Sequence, residues 1–412
     1  MFPPSPPPAP SPARPPLHEV LPPLILGTAT FNTQYVSDPF SLPASSIISR
    51  AFELGINAFD TSPYYGPSEI ILGDALLQST QSTTQKKRER SSYFLITKTG
   101  RIAGDEFDYT PQWIRYSVYR SLERLHTPYL DLVYAHDVEF VSDAEVLSAV
   151  RELRRLRDEE GVVKYVGISG YPVSRLCSLA EMVQRETGEP LDAVLSYAHF
   201  TLQNTRLGSA DVMGRFRSAG VDVVLNASIL GMGLLTTRGV DAGPMASWHP
   251  SPDGLRRACK ELVSLAEAGA VERLEEVAIR WALDTWARVG AERGTSSGLI
   301  KGRVGVSVMG ISNITELEET FRVFKSVMEG LDSDDDDDAD AVVTRRQLSR
   351  DKSAKIQAVI DKMWDALGTW KDYSWESPGP EYVNTRRPED VGVVPDDGVL
   401  ARREEMLKAA PI

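Results

Sequence analysis

The chain has 412 residues, 42% hydrophobic and 25% charged, with 45 basic against 58 acidic side chains and a net charge of -13. That balance argues against a nucleic-acid partner, because no basic patch would anchor phosphates; no apolar run reaches the roughly 18 residues of a membrane helix. Two cysteines, Cys177 and Cys259, exclude a disulfide framework, lie in no metal-ligand spacing and fit a reducing compartment.

In chain order, the first segment is MFPPSPPPAPSPARPP, which has neither the apolar core of a secretory signal nor the character of a transit peptide, so a cytosolic protein is expected. Eleven of the first 23 residues are proline, which removes backbone donors and favours extended chain. A disordered tail over residues 1–20 is therefore predicted, unable to join a helix or sheet. From residue 21 to 330, short apolar runs alternate with helical periodicity. The strand-like runs are LILGTA (24–29), INAFD (56–60), YFLITK (93–98), LDLVYAH (130–136), KYVGIS (164–169), DAVLSYA (192–198), VDVVLNAS (221–228) and VGVSVMG (304–310). Between them lie segments such as 142–160, where Val146, Leu147, Val150, Leu153 and Leu156 share one helix face. Eight strand-then-helix units predict an α/β fold with a closed parallel barrel. A doubly wound open sheet would usually carry G-x-G-x-x-G after its first strand, and LILGTATF stands there instead.

Residues 332–340, DSDDDDDAD, place seven aspartates in nine positions, a run that repels itself and predicts a disordered acidic insertion over 331–350. Residues 351–412 should return to helix at 352–368 and then run as a tail over the barrel, with Trp370, Tyr373 and Trp375 against apolar surface.

In such a barrel the carboxyl ends of the strands open on one face, so polar residues there converge. Asp60 closes the second strand, Tyr65 follows it, Lys98 closes the third and His136 the fourth. Together they make a proton-transfer device. Tyrosine titrates near 10, so as acid or base Tyr65 needs a cation, supplied by Lys98; Asp60 keeps Lys98 charged; His136 orients the substrate oxygen. The bland alternative for FDTSPYYGPSE (59–69) is a Pro/Gly turn capped by Ser68.

The block FDTSPYYGPSEIILGDAL, the ITK ending in Lys98 and LDLVYAHDVE with His136 resemble the motifs of the aldo-keto reductases over roughly residues 21–328. The resemblance implies a (β/α)8, or TIM, barrel, a nicotinamide cofactor across its mouth and catalysis by Asp60, Tyr65, Lys98 and His136. The wording LGTATFNTQY, GISGYP and LSYAHFTLQN further resembles the branch of that family that oxidises D-arabinose and L-galactose. This implies oxidation of a sugar at C1 to the aldonolactone, with Tyr65 as general base.

The resemblance also implies a cofactor site of Ser169, Ser196, Ser228, Leu230, Gly231, Gly310, Ser312, Asn313, Glu316 and Glu319. Some positions depart from the family pattern. Gly170 stands for the usual asparagine after Ser169, Val194 or Leu195 for a glutamine, and Ala227 for a stacking aromatic. At 310–321, Gly310 and Glu316 replace the cations that pair with a 2′-phosphate, which predicts NAD over NADP; Lys301 and Arg303 are expected nearby and could still admit NADP. The partner expected is a small sugar or carbonyl compound, without membrane or nucleic acid, for a monomer or weak homo-oligomer. The alternatives are a broad NADPH-dependent aldehyde or ketone reductase and, in another class, a non-catalytic regulatory subunit.

Overall fold

A computed structural model of the chain describes residues 14–81, 88–270, 272–296, 298, 300–331 and 340–409. All eight expected strands form: β1 (Leu24–Gly27), β2 (Ala58–Asp60), β3 (Phe94–Thr99), β4 (Leu130–His136), β5 (Val163–Gly170), β6 (Ala193–Tyr197), β7 (Val223–Ala227) and β8 (Val306–Gly310). They pair in parallel in sequence order, and β8 closes the ring on β1 with Leu24 opposite Ser307 and Gly27 opposite Gly310. Successive strand residues face opposite sides. Ile25, Ala58, Phe94, Ile96, Leu132, Tyr134, Tyr165, Leu195, Val223, Leu225, Val306 and Val308 therefore form one cluster inside the barrel. Their neighbours Leu24, Leu26, Phe59, Leu95, Val133, Val166, Ile168, Val194 and Val224 belong to a second cluster, shared with the surrounding helices.

The helices follow local rules. The segment expected at 142–160 forms Asp143–Asp158, opened by a capping box in which Ser142 Oγ accepts the Glu145 N–H and Glu145 accepts the Ser142 N–H. It buries Val146, Ala149, Val150, Leu153 and Leu156 against the sheet. Among the described residues no helix is long and apolar enough to cross a membrane.

The two segments expected to be disordered are corrected in part. Residues 1–13 lie outside the described residues, but Leu17–Val20 form a helical turn after Pro15 and Pro16, where proline's missing donor costs nothing. Leu17 and Leu21, four residues apart, are buried in the interior cluster and stopper the barrel's amino-terminal end. Tyr165 OH donates to the Pro15 carbonyl at 2.7 Å and Thr295 Oγ1 to the His18 carbonyl at 2.7 Å. Residues 332–339 of the acidic run also lie outside the described residues, whereas Asp340–Leu367 form a single helix, so 340–350 is helical. Its later half buries Ile356, Val359, Ile360, Met363 and Leu367, and Arg280 Nη2 binds the Ser349 carbonyl and hydroxyl, both at 2.9 Å.

Beyond that helix the tail crosses the barrel mouth. Gln203 Nε2 donates to the carbonyls of Trp370 (2.6 Å) and Tyr373 (3.0 Å), and Asn204 Nδ2 to Ser374 Oγ (3.0 Å). The run LSYAHFTLQN is thus the clamp that holds the tail. Trp370, Tyr373 and Trp375 all pack on the outer core, as expected. Removing the stopper should be felt by the whole barrel: Leu17→Ala is expected to cost about 2–4 kcal/mol, read as a lower denaturation midpoint.

Candidate active site

The uppermost inward-facing layer of the barrel consists of Gly27, Asp60, Lys98, His136, Ser169, Tyr197, Ala227 and Gly310, and all eight line one cleft of about 1400 Å³. Asp60, Lys98 and His136 are there because each lies two residues beyond an interior apolar side chain: Ala58, Ile96 and Tyr134. Tyr65 reaches the same space from a tight loop. Its N–H donates to the Ser62 carbonyl, its carbonyl accepts the Ser68 N–H, and Gly66 follows at φ 57, in the region that favours glycine. Ser68 does not act as a simple cap. Its buried hydroxyl ties the loops after β1 and β2 together through Thr28 Oγ1 (2.7 Å) and Thr61 Oγ1 (3.0 Å).

Lys98 Nζ donates to Asp60 Oδ1 at 2.6 Å and to the Thr61 carbonyl at 2.9 Å, both side chains being buried, and lies 4.8 Å from the Tyr65 ring centroid. Burial pushes the Asp60 carboxyl up, and Lys98 opposes that. The Tyr65 phenol is pushed well above its ordinary value, first by burial and then by the negative charges of Asp60 and Asp137, against a smaller opposing effect of Arg101. The expectation that Lys98 would ease Tyr65 ionisation therefore meets a counterweight: Asp60 matches that charge, and the phenol stays protonated.

His136 packs edge-on to Tyr65, ring centroids 5.8 Å apart at 87°. Burial lowers its imidazole to about 3, with Asp137 opposing. Its Nδ1 lies 3.1 Å from Ser62 Oγ, which also accepts the Tyr64 N–H at 3.1 Å. We assign the Ser62 proton to Nδ1, which leaves the ring hydrogen on Nε2.

Several functional groups escaped the sequence reading. Arg101 donates to Asp137 and lies over the Tyr64 ring at 3.9 Å. Tyr35, Tyr64 and Trp248 add aromatic wall; Trp375, expected only to meet apolar surface, joins it and stacks on Tyr171 at 4.7 Å and 13°. Tyr197 was legible in principle, since it continues the inward parity of Leu195. On β6 it lies directly opposite Ala227.

Of the expected cofactor residues, Ser169, Ser228, Leu230, Gly310, Ser312, Glu316 and Glu319 line the cleft. Ser196 is corrected: it has the outward parity of Val194, and its hydroxyl donates to the Tyr171 carbonyl at 3.4 Å. Gly231 and Asn313 are not on the cleft wall either. The Gly231 carbonyl is 2.9 Å from His249 Nε2, and Asn313 Oδ1 caps the Glu316 N–H at 2.9 Å. At Gly170 a Cβ would sit 2.4 Å from Glu139 Oε2, so an asparagine there would require the Glu139 carboxyl to move. That buried carboxyl, pushed up to about 8 by burial and by Asp137, accepts from the Tyr171 N–H (3.0 Å) and from Ser377 Oγ of the tail (3.1 Å).

The cleft fits a dinucleotide. Small strand-end residues leave its floor open, and the loop after β7 curls back through positive φ at Ser228, Gly231, Met232 and Gly233. Farther along, helix Ile314–Leu331 starts beside Ser312, where Arg273, Arg322 and Lys352 line the cleft together with the carboxylates of Glu272, Glu276, Glu316 and Glu319. Among the described residues no His, Cys, Asp and Glu cluster is gathered to hold a metal.

The model of the aldo/keto reductase family matches residues 23–340, so the chain belongs to that family. It is an oxidoreductase acting on CH–OH groups, and aldo-keto reductases work with a nicotinamide cofactor. The chain is 42% identical to the D-arabinose 1-dehydrogenase of Saccharomyces cerevisiae, over 76% of this chain and 87% of that one. It is 33% identical to the L-galactose dehydrogenase of Arabidopsis thaliana, over 67% and 76%. A D-threo-aldose 1-dehydrogenase of Pseudomonas sp matches at 27% identity over 51% and 64%.

With its pKa lowered to about 3, His136 should stay neutral as pH falls from 8 to 5. Imidazole resonances followed by NMR should not titrate in that window; a midpoint near 6.5 for His136 would contradict the buried, uncharged role.

Proposed function

We propose that the chain is an aldose 1-dehydrogenase that oxidises D-arabinose, or a related sugar such as L-galactose, at C1 to the aldonolactone, with NAD as acceptor. The observation that carries this reading is the substrate end of the cleft, where the tetrad is walled by Tyr35, Tyr64, Tyr197, Trp248 and Trp375 and by the polar pair Arg101 and Asp137. Aromatic faces suit the C–H faces of a sugar ring, and the polar pair suits its hydroxyls. The 42% identity to a D-arabinose 1-dehydrogenase supports the same substrate class.

In the proposed reaction the cofactor, when bound, accepts the hydride from C1. His136 Nε2–H fixes the C1 oxygen. Tyr65 takes the hydroxyl proton as general base, with Lys98 stabilising the phenolate and Asp60 holding Lys98 in place. Ser169, whose hydroxyl makes a long 3.5 Å bond to the Ala135 carbonyl, would bind the carboxamide in this reading. Because burial keeps the Tyr65 phenol protonated, oxidation should accelerate as pH rises toward the alkaline range.

NAD is favoured by the pairing at the far end of the cleft. Arg273 binds Glu319 at 2.7 Å and Glu276 at 3.3 Å, and Lys352 binds Glu272 at 2.5 Å. Glu316 accepts from the Ser312 N–H and hydroxyl, both at 2.8 Å, and still lines the cleft. A 2′-phosphate would meet the carboxylates of Glu316 and Glu319 beside Arg273 and Lys352, which are already paired, with Arg322 also on that wall. Lys301 and Arg303 do not change this: Arg303 binds the Gly294 and Asp222 carbonyls just before β8, at the opposite end of the barrel.

One observation favours a second reading, reduction of aldehydes or ketones with NADPH: a protonated Tyr65 is already an acid. A single set of assays separates the two. Pentoses and hexoses with NAD at alkaline pH should be oxidised, with NAD preferred over NADP at least about tenfold in kcat/KM, a difference of about 1.4 kcal/mol. Silence on every sugar with turnover of aldehydes would support the second reading. Tyr65→Phe should bind NAD normally and lose about 100-fold or more in kcat; near-normal kcat would refute the mechanism.

A further inference from the structure

We propose that Asp137 binds a substrate hydroxyl on the carbon next to the reacting one, and so selects hydroxylated substrates over their deoxy counterparts. This deepens the sugar reading and rests on it for the natural substrate, but not for its test.

Asp137 directly follows His136 and lines the same cleft. Its mount is rigid on two sides. Its backbone holds φ 56, in the left-handed region that aspartate tolerates better than most non-glycine residues. The Tyr109 hydroxyl donates to the His136 carbonyl at 2.5 Å, which anchors the peptide joining the two residues. Arg101 Nη1 donates to Asp137 Oδ2, while Nε and Nη2 of Arg101 are held by the carbonyls of Ala103 (3.3 Å) and Gly104 (2.7 Å).

The bonding of the carboxylate is incomplete. Oδ2 lies 3.5 Å from His136 Nε2, too far to capture the ring hydrogen, so that hydrogen stays available to the reacting oxygen. Oδ1 is buried and has no hydrogen-bond partner among the described residues. An anionic oxygen in that condition is costly, and the open space that Asp137 itself borders is the cleft. A substrate oxygen bound at His136 Nε2 brings the neighbouring carbon's hydroxyl beside this carboxylate, where an O–H···O⁻ bond is charge-assisted.

Catalysis by the tetrad does not account for the charge. Burial would by itself keep Asp137 protonated, but the Arg101 guanidinium bonded to it, with Lys98 adding a smaller effect, holds it below the usual carboxylate range. The resulting negative charge raises Tyr65, which opposes the ionisation that oxidation needs. A group that burdens the general base yet is fixed by Arg101 and Tyr109 is explained by recognition.

The test compares wild type with Asp137→Asn and Asp137→Gly, both residues tolerant of positive φ. Two substrate pairs differ only in the neighbouring hydroxyl: D-arabinose against 2-deoxy-D-arabinose in oxidation, and lactaldehyde against propanal in reduction. Wild type should prefer the hydroxylated member by about 10- to 100-fold in kcat/KM, as expected for a charged hydrogen bond. Both variants should bring that ratio to within about threefold. A wild-type ratio near one, or variants that lower both members of a pair equally, would overturn the proposal. If wild type oxidises neither sugar, the sugar reading fails, and the aldehyde pair alone decides the role of Asp137.

Discussion

Closing eight parallel strands into a ring turns every second side chain of each strand toward a common axis, and the functional site is the last layer of that interior. Leu17 and Leu21 stopper one end; apolar residues such as Ile96, Leu132 and Tyr134 fill the middle. The same parity, carried two residues further, delivers Asp60, Lys98 and His136 to the other end. A one-residue slip in any strand would exchange its inward strand-end residue for an outward one, as the outward Ser196 illustrates beside the inward Tyr197.

Placing charges on top of an apolar core is costly, and the site answers by pairing them. Lys98 and Asp60 meet at 2.6 Å with almost no solvent exposure, so neither could remain without the other. Asp137 depends on Arg101 in the same way. Both pairs bear on Tyr65: Asp60 and Asp137 each raise the phenol, and Arg101 offsets part of that rise. This balance leaves a tyrosine that holds its proton, a neutral histidine beside it and a lysine paired with Asp60.

The segment after the barrel completes the cleft from outside. Its long helix packs on the barrel's last helices and brings Lys352 to the cleft's far end, while Trp375, Glu376, Ser377, Pro378 and Gly379 line the same cleft. The tail is held by polar contacts: Gln203, Asn204 and Thr205 grip residues 370–374, Glu139 holds Ser377, and Asp105, Phe107 and Asp108 hold 384–392. Polar clamps of this kind fix a tail in place while leaving its aromatic side chains to meet other surfaces.

What the sequence by itself determined was the part written in local periodicity and short motifs. Alternating apolar strands, amphipathic helices and the block around FDTSPYYGPSE were enough for the closed barrel and for Asp60, Tyr65, Lys98 and His136. Strand parity was also present in the sequence, and counting it strictly would have excluded Ser196 and admitted Tyr197. Other features had no local signature. That Leu17 would enter the barrel, that Arg101 would pair with Asp137, that Glu139 would occupy the space beside Gly170 and that Arg303 would lie at the wrong end for a cofactor all depend on contacts between distant segments. Only the closed ring, by setting which strand ends are neighbours and which end of the barrel each loop reaches, decided them.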